Sequence, residues 1–162
     1  MRKHLPIFLI VSLPFAQAQK PKDEGWSDLL PPGESRELVL SSCGGCHNLK
    51  VVVQARKSPA EWGKCVNDMI QRGAQLFPEE IDPMTTYFVK SFGKDIPRLI
   101  NVNTATREDL EKLPGVKPEI AARILAARAN NGPFKNSEEL RRALGMEKED
   151  FEKIRYRLAY GN

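Results

Sequence analysis

Apolar positions along this chain fall into three patterns. The first is one continuous run, Leu5 to Phe15, behind the basic start Arg2, Lys3 and His4. It has the length of a signal-peptide apolar region, and Ala16-Gln17-Ala18 supplies a small-x-small cleavage pattern, so a mature chain beginning at Gln19 is expected. The run is too short to cross a bilayer as a helix, and Pro6 and Pro14 argue against a retained anchor. No later segment is apolar enough to span. The expectation is an exported or periplasmic protein with no stable membrane span after cleavage.

The second pattern is a set of stripes at helical spacing. Residues 19–32, rich in Pro, Lys and acidic side chains, read as a flexible lead-in, with Trp26 the one residue suited to packing. Glu34 to Cys43 predicts a helix. Ser58-Pro59-Ala60-Glu61 is a capping box with proline at the first helical position. The helix it opens carries Trp62, Cys65, Val66, Met69 and Ile70 on one face, and Gly73 can end it. Pro78-Glu79-Glu80 opens another, with Ile81, Met84, Tyr87, Phe88 and Phe92 inward and Pro83 near its start. Residues 95–98 read as a hinge.

The third pattern is shorter and occurs twice. Thr106 caps a helix with Leu110 and Leu113 inward; Leu113-Pro114-Gly115-Val116-Lys117-Pro118 is a tight hairpin; Pro118 starts a helix carrying Ile120, Ala121, Ile124, Leu125 and Arg128. After the turn Asn131-Gly132-Pro133-Phe134, Asn136-x-x-Glu139 caps a helix with Leu140 and Leu144. Gly145-Met146-Glu147 then forms a second hairpin before Phe151, Ile154 and Leu158. The chain is therefore expected to be all-α, with a small unit at 33–94 and a tandem helix–hairpin–helix unit at 99–162.

Charge changes this picture little. Removing Arg2 and Lys3 from the 25 basic residues leaves 23 against 21 acidic ones, a net charge of +2. Residues 19–98 are balanced and residues 99–162 carry a small positive excess, too mild to identify a nucleic-acid binder by itself.

Chemistry enters at Cys43-Gly44-Gly45-Cys46-His47, the C-x-x-C-H attachment sequence of c-type haem. Two thiols three residues apart reach the two vinyl groups of one macrocycle, and the histidine that follows lies below the iron as proximal ligand. Zinc would need all three cysteines and the one histidine left after cleavage, including the adjacent Cys46 and His47, which a tetrahedral site seldom accommodates. A thioredoxin-like pair would need a nearby βαβ pattern, and none is visible. One covalent haem c on Cys43 and Cys46, with iron on His47, is the expected cofactor. Cys65, on the stripe between Trp62 and Met69, reads as a small buried hydrophobe; a redox-sensing thiol or an intermolecular disulfide is the sharper option.

Residues 33–94 resemble a class I monohaem cytochrome c. The likeness rests on the C-x-x-C-H motif and on Trp62, Val66, Met69, Arg72, Gly73 and Ala74. With His4 cleaved, methionine is the usual sixth ligand, and Met69 and Met84 are the available ones. Met69 lies on the stripe and matches the family pattern, so it is preferred, with Met84 the alternative. Residues from Leu99 to about Tyr160 resemble the ComEA-type helix-hairpin-helix domain of competence DNA receptors, through N-V-N-T-A, L-P-G-V-x-P-x-x-A and N-G-P-F. The resemblance implies duplex binding without sequence readout, a hairpin presenting backbone N–H groups to a phosphate.

Gly115, Val116 and Lys117 are the candidate DNA-binding residues, backed by Lys112 and Arg123; Lys117 stands where the family usually has glycine. At the second hairpin Glu147, Glu149 and Asp150 oppose phosphate. No Ser/His/Asp set, Cys/His nucleophile pair or nucleotide phosphate loop is present, so no enzyme is expected. The main expectation is an exported one-electron carrier that meets a redox partner protein, with the helix-hairpin-helix domain serving for docking or for DNA binding without sequence readout. The alternative is an envelope DNA-binding protein of competence type carrying the haem as a redox or sensing attachment.

Overall fold

Local sequence signals open nearly every helix of the chain. A computed structural model describes residues 25–160, so the signal-peptide and cleavage expectations lie outside the described residues. Four helices form the first domain: α1 (Arg36–Ser42), α2 (Lys50–Val53), α3 (Pro59–Gln71) and α4 (Pro78–Phe92). Ser58 caps α3 by accepting from the Glu61 N–H while the Glu61 carboxylate accepts from Ser58 N–H (2.7 Å). Glu80 likewise accepts from Phe77 N–H at the start of α4 (2.8 Å). Pro83 lies inside α4, past the first turn, so it gives up one intrahelical bond, that to the Glu79 carbonyl.

The lead-in departs from expectation. Residues 26–30 are not a free segment: Trp26–Leu29 form a 3-10 turn, and Trp26, Leu29 and Leu30 are buried in the first core. Trp26 is the residue the sequence marked for packing; Leu29 and Leu30 carried no such signal, because two adjacent apolar residues show no period. Arg36 Nε donates to Leu30 O (3.3 Å) and Tyr87 Oη to Pro31 O (2.7 Å), tying the segment to α1 and α4. Burial pushes the Tyr87 phenol up to about 12, consistent with a hydroxyl held as a donor. The packed part of the first domain thus begins before residue 33.

The second domain comprises α5 (Arg107–Glu111), α6 (Pro118–Asn131), α7 (Ser137–Leu144) and α8 (Lys148–Arg155). The all-α expectation needs one correction. Strands β1 (Ile100–Asn101) and β2 (Leu158–Ala159) pair in parallel, Ile100 opposite Leu158 and Asn101 opposite Ala159. Two residues per strand give no alternation for a sequence to display; the pairing exists because the domain's ends meet. Asn103 completes that closure. Its amide nitrogen donates to Phe134 O and Tyr160 O (both 2.8 Å), and its Oδ1 accepts from Phe134 N–H (2.8 Å). Arg128 Nη1 donates to Val102 O (2.9 Å) and Ala105 O (3.1 Å). These ties are the structural content of the N-V-N-T-A and N-G-P-F motifs.

The expected hinge is pinned rather than loose. Gly93 bridges to Lys57, and Arg56 donates to the carbonyls of Ile96 (2.9 Å) and Pro97 (2.6 Å). Arg155 of α8 donates to Asp28 O across the two domains (2.5 Å), and Ala159 is buried with the first core. None of the described helices is long and apolar enough to cross a membrane.

Candidate functional site

The first domain surrounds a cavity of about 490 Å³ rather than filling its centre. That volume lies within the roughly 300–1,000 Å³ usual for cofactor pockets. Cys43, Cys46 and His47 lie on its wall after α1; Trp62, Cys65, Val66 and Met69 come from α3; Met84 and Phe88 come from α4. Residues far apart in sequence therefore meet around one apolar space.

Local geometry explains the first wall. Cys43 and Gly44 N–H both point to Val39 O (3.0 and 3.3 Å), and Cys46 N–H donates to Cys43 O (3.4 Å). A Cβ on Gly44 would sit 2.6 Å from Leu40 O, so only glycine permits this close turn. His47 Nδ1 lies 3.3 Å from Asn48 O. A carbonyl can only accept, so this contact places the proton on Nδ1 and leaves Nε2 with its lone pair free for a metal. Burial, reinforced by Cys65 and then Cys46, raises the Cys43 thiol to about 11, so it is protonated at neutral pH. That disfavours a ready thiolate for zinc. Among the described residues no group of three or more His, Cys, Asp and Glu side chains could hold a metal ion.

The opposite wall is rigid. Trp62 stacks on Phe88 with centroids 4.6 Å apart, and its Nε1 donates to Phe92 O (3.2 Å), so its polar atom is satisfied. Both Met69 and Met84 line the cavity; Met84 is almost fully buried and Met69 partly so. Lys57 and Arg72 also line it. Lys57 carried no signal in the sequence because it belongs to no stripe. The residues present fit a covalently held, flat apolar group with acidic edges, which is what a c-type haem is.

The second candidate surface is the first hairpin, and the structure revises its expected donors. Gly115 has φ 86°, and a Cβ there would lie 3.1 Å from Ile154 Cγ2, so glycine is needed for both the turn and the packing. Val116 is not a free donor: its N–H is bonded to Leu113 O (3.1 Å) and its side chain is buried. Gly115 and Lys117 are exposed, and no hydrogen bond engages their N–H groups among the described residues. Lys117 takes φ −73°, so lysine in place of the usual glycine does not strain the turn. Lys112 is paired with Asp109 (3.3 Å) and is less available than expected.

Arg123 lies elsewhere than expected, with its Nη2 beside the second hairpin, 3.6 Å from where a Cβ on Gly145 would be. At that hairpin Glu147 caps α8, with Glu149 and Asp150 in its first turn. The Lys153 hydrogen bond, then its charge, hold the Asp150 carboxyl below the usual range, and Lys117 adds to the effect. Cations and acids are therefore mixed at the second hairpin, where Arg123 lies beside Gly145 and Lys117 acts on Asp150.

Comparison with known proteins supports the second domain. The helix-hairpin-helix motif family matches residues 97–159. The ComE operon protein 1 of Bacillus subtilis (strain 168) is 42% identical over 57 residues, which is 35% of this chain and 28% of that relative. The matched stretch thus spans little more than a quarter of the relative's length. No solved structure matches the chain. The C-terminal half carries a helix-hairpin-helix motif, and part of that relative is similar to it.

Proposed function

We propose that this chain is an exported envelope protein that binds duplex DNA without sequence readout through its second domain and carries one covalent haem in its first. The observation that carries the DNA reading is the first hairpin. It presents the N–H groups of two exposed residues, Gly115 and Lys117, beside the Lys117 ammonium at the start of α6. The helix-hairpin-helix match and the likeness to a competence-operon protein support it. Val116 serves by seating the turn rather than by donating.

When bound, a haem supplies one-electron exchange and a sixth coordination position. The chain's own residues do the rest. Cys43 and Cys46 would hold the group covalently, His47 would offer Nε2 to its iron, and Trp62 and Phe88 would keep water out of the cavity. Met69, with Met84 as the alternative, would be the second iron ligand, and Lys57 and Arg72 would balance the group's carboxylate charge. The acidic residues at the second hairpin favour a second reading. In it the helix-hairpin-helix domain docks a redox partner protein, and the chain is an electron carrier.

Duplex titration of the full haem-loaded chain at several salt concentrations separates the two. The DNA reading expects affinity that falls with salt at a shallow slope, on the order of one to three phosphate contacts, and is lost in Lys117→Glu. No binding at low salt leaves the carrier reading. Absorption spectra in both redox states test the haem: a haem-free protein containing zinc would end that part.

A further inference from the structure

Three arginines lie on the segments that meet where the two domains join: Arg56, Arg98 and Arg157. Arg56 reaches from the end of α2 to the linker. Its Nη1 is committed to Val53 O and Ala55 O, and its Nε and Nη2 to Ile96 O and Pro97 O. Arg98 follows immediately in the chain and is exposed. Arg157 arrives from the far end of the second domain: its carbonyl accepts from Ile100 N–H (2.9 Å), which sets it against the linker. The Arg157 side chain is half-buried, and its Nη1 is buried with no hydrogen-bond partner among the described residues.

Among the described residues none of the three guanidiniums makes an ion pair. Burial first, and then the charges of Arg157 and Arg98, hold the Arg56 guanidinium below its ordinary value. A buried guanidinium nitrogen without an acceptor is costly unless an anion completes it. A guanidinium fork matches a tetrahedral oxyanion through paired N–H donors.

We propose that Arg56, Arg98 and Arg157 form a phosphate-binding site at the junction of the two domains. Arg98 and Arg157 donate to the oxyanion, and Arg56 holds the linker beside it. A phosphate there bridges the linker to the C-terminal end of the second domain and fixes the two domains relative to each other. Free orthophosphate and a phosphodiester of a duplex backbone present the same chemistry. The duplex source rests on the DNA reading; the orthophosphate source does not.

The test uses the full haem-loaded chain, with Arg98→Gln and Arg157→Met as variants. Thermal unfolding is followed in sodium orthophosphate and in sodium chloride of matched ionic strength and pH. The expected result is a Tm rise of about 2–4 °C in phosphate for the unmodified chain that both variants lose. Arg98 is exposed, so Arg98→Gln keeps the test valid if Arg157→Met folds poorly. In parallel, each variant should reduce the salt slope of duplex binding by about one contact. A reduced slope without a phosphate-specific Tm rise assigns the site to backbone phosphates alone. A Tm rise without duplex binding by the unmodified chain assigns it to orthophosphate and ends the DNA reading instead. Equal Tm rises in all three proteins, reflecting general exclusion of phosphate from protein surfaces, with an unchanged or undetectable duplex slope, overturn the site.

Discussion

The two domains are similar in size but are built on opposite principles. The second supplies its own filling: Leu110, Ile124, Leu140, Leu144, Ile154 and Leu158 are buried to 1% exposure or less. The first supplies walls. Trp62, Met84 and Phe88 are buried, yet they also line a cavity of about 490 Å³, and Val51 on the same wall remains 61% exposed. A domain of this size has little surplus of buried apolar surface. The first domain keeps part of its buried apolar surface, Leu30, Val39, Val53 and Phe92, away from that cavity. The comparison separates a domain packed through its centre from one packed around a cavity, and on the proposed reading a haem fills that cavity.

The strongest way to break that comparison is to remove the tether. In Cys43→Ala/Cys46→Ala, intact-mass measurement should show no added haem. Thermal unfolding should then show the first domain melting well below the second. If both domains melt as in the unmodified protein, the first core is self-sufficient. Leu140→Ala should do the converse, costing about 2–5 kcal/mol in the second domain while the haem spectrum stays unchanged.

The two methionines sharpen the account of the first domain. Met69→Ala should abolish a methionine–iron charge-transfer band in the oxidised protein with a modest loss of stability, because Met69 is only partly buried. Met84→Ala should keep the band and lose about 2–5 kcal/mol of stability, because Met84 is 1% exposed. The opposite assignment of the band moves the ligand to Met84.

A smaller effect is expected at the hairpins. Lys117→Glu should remove duplex binding. Glu147→Gly should strengthen it several-fold by relieving repulsion at the second helix start. Unchanged binding in both would place the contact surface elsewhere.

The smallest prediction concerns pH. Glu138 is bonded to Arg141 and Arg142 (both 2.8 Å), and these contacts lower its carboxyl from 4.5 to about 2. A depressed folded pKa means the contribution is complete above the unfolded value and is lost as pH falls through the folded one. The second domain should therefore lose a small increment of stability between about pH 4.5 and 2. Glu138→Gln should flatten that part of the profile, and NMR titration of the Glu138 carboxyl reads the shift directly.

Sequence alone determined whatever is local. Capping boxes at Ser58 and Thr106, prolines at the first turns of α3, α4 and α6, and apolar stripes with period near four specified helices and their inward faces. The spacing of Cys43, Cys46 and His47 is likewise local, and it is what the haem proposal rests on, because the three groups lie within a few residues of chain. Tertiary structure decided what depends on distant residues meeting. Val116 became a seated side chain because Leu113 takes its N–H, and residues 26–30 became core because α1 and α4 offer a surface and partners for their carbonyls. The pairing of Ile100 with Leu158, and the meeting of Arg56 with the carbonyls of Ile96 and Pro97, have no periodic signature. Periodicity reports only the face a segment turns inward; which other segment that face meets is set by the packing of the whole chain.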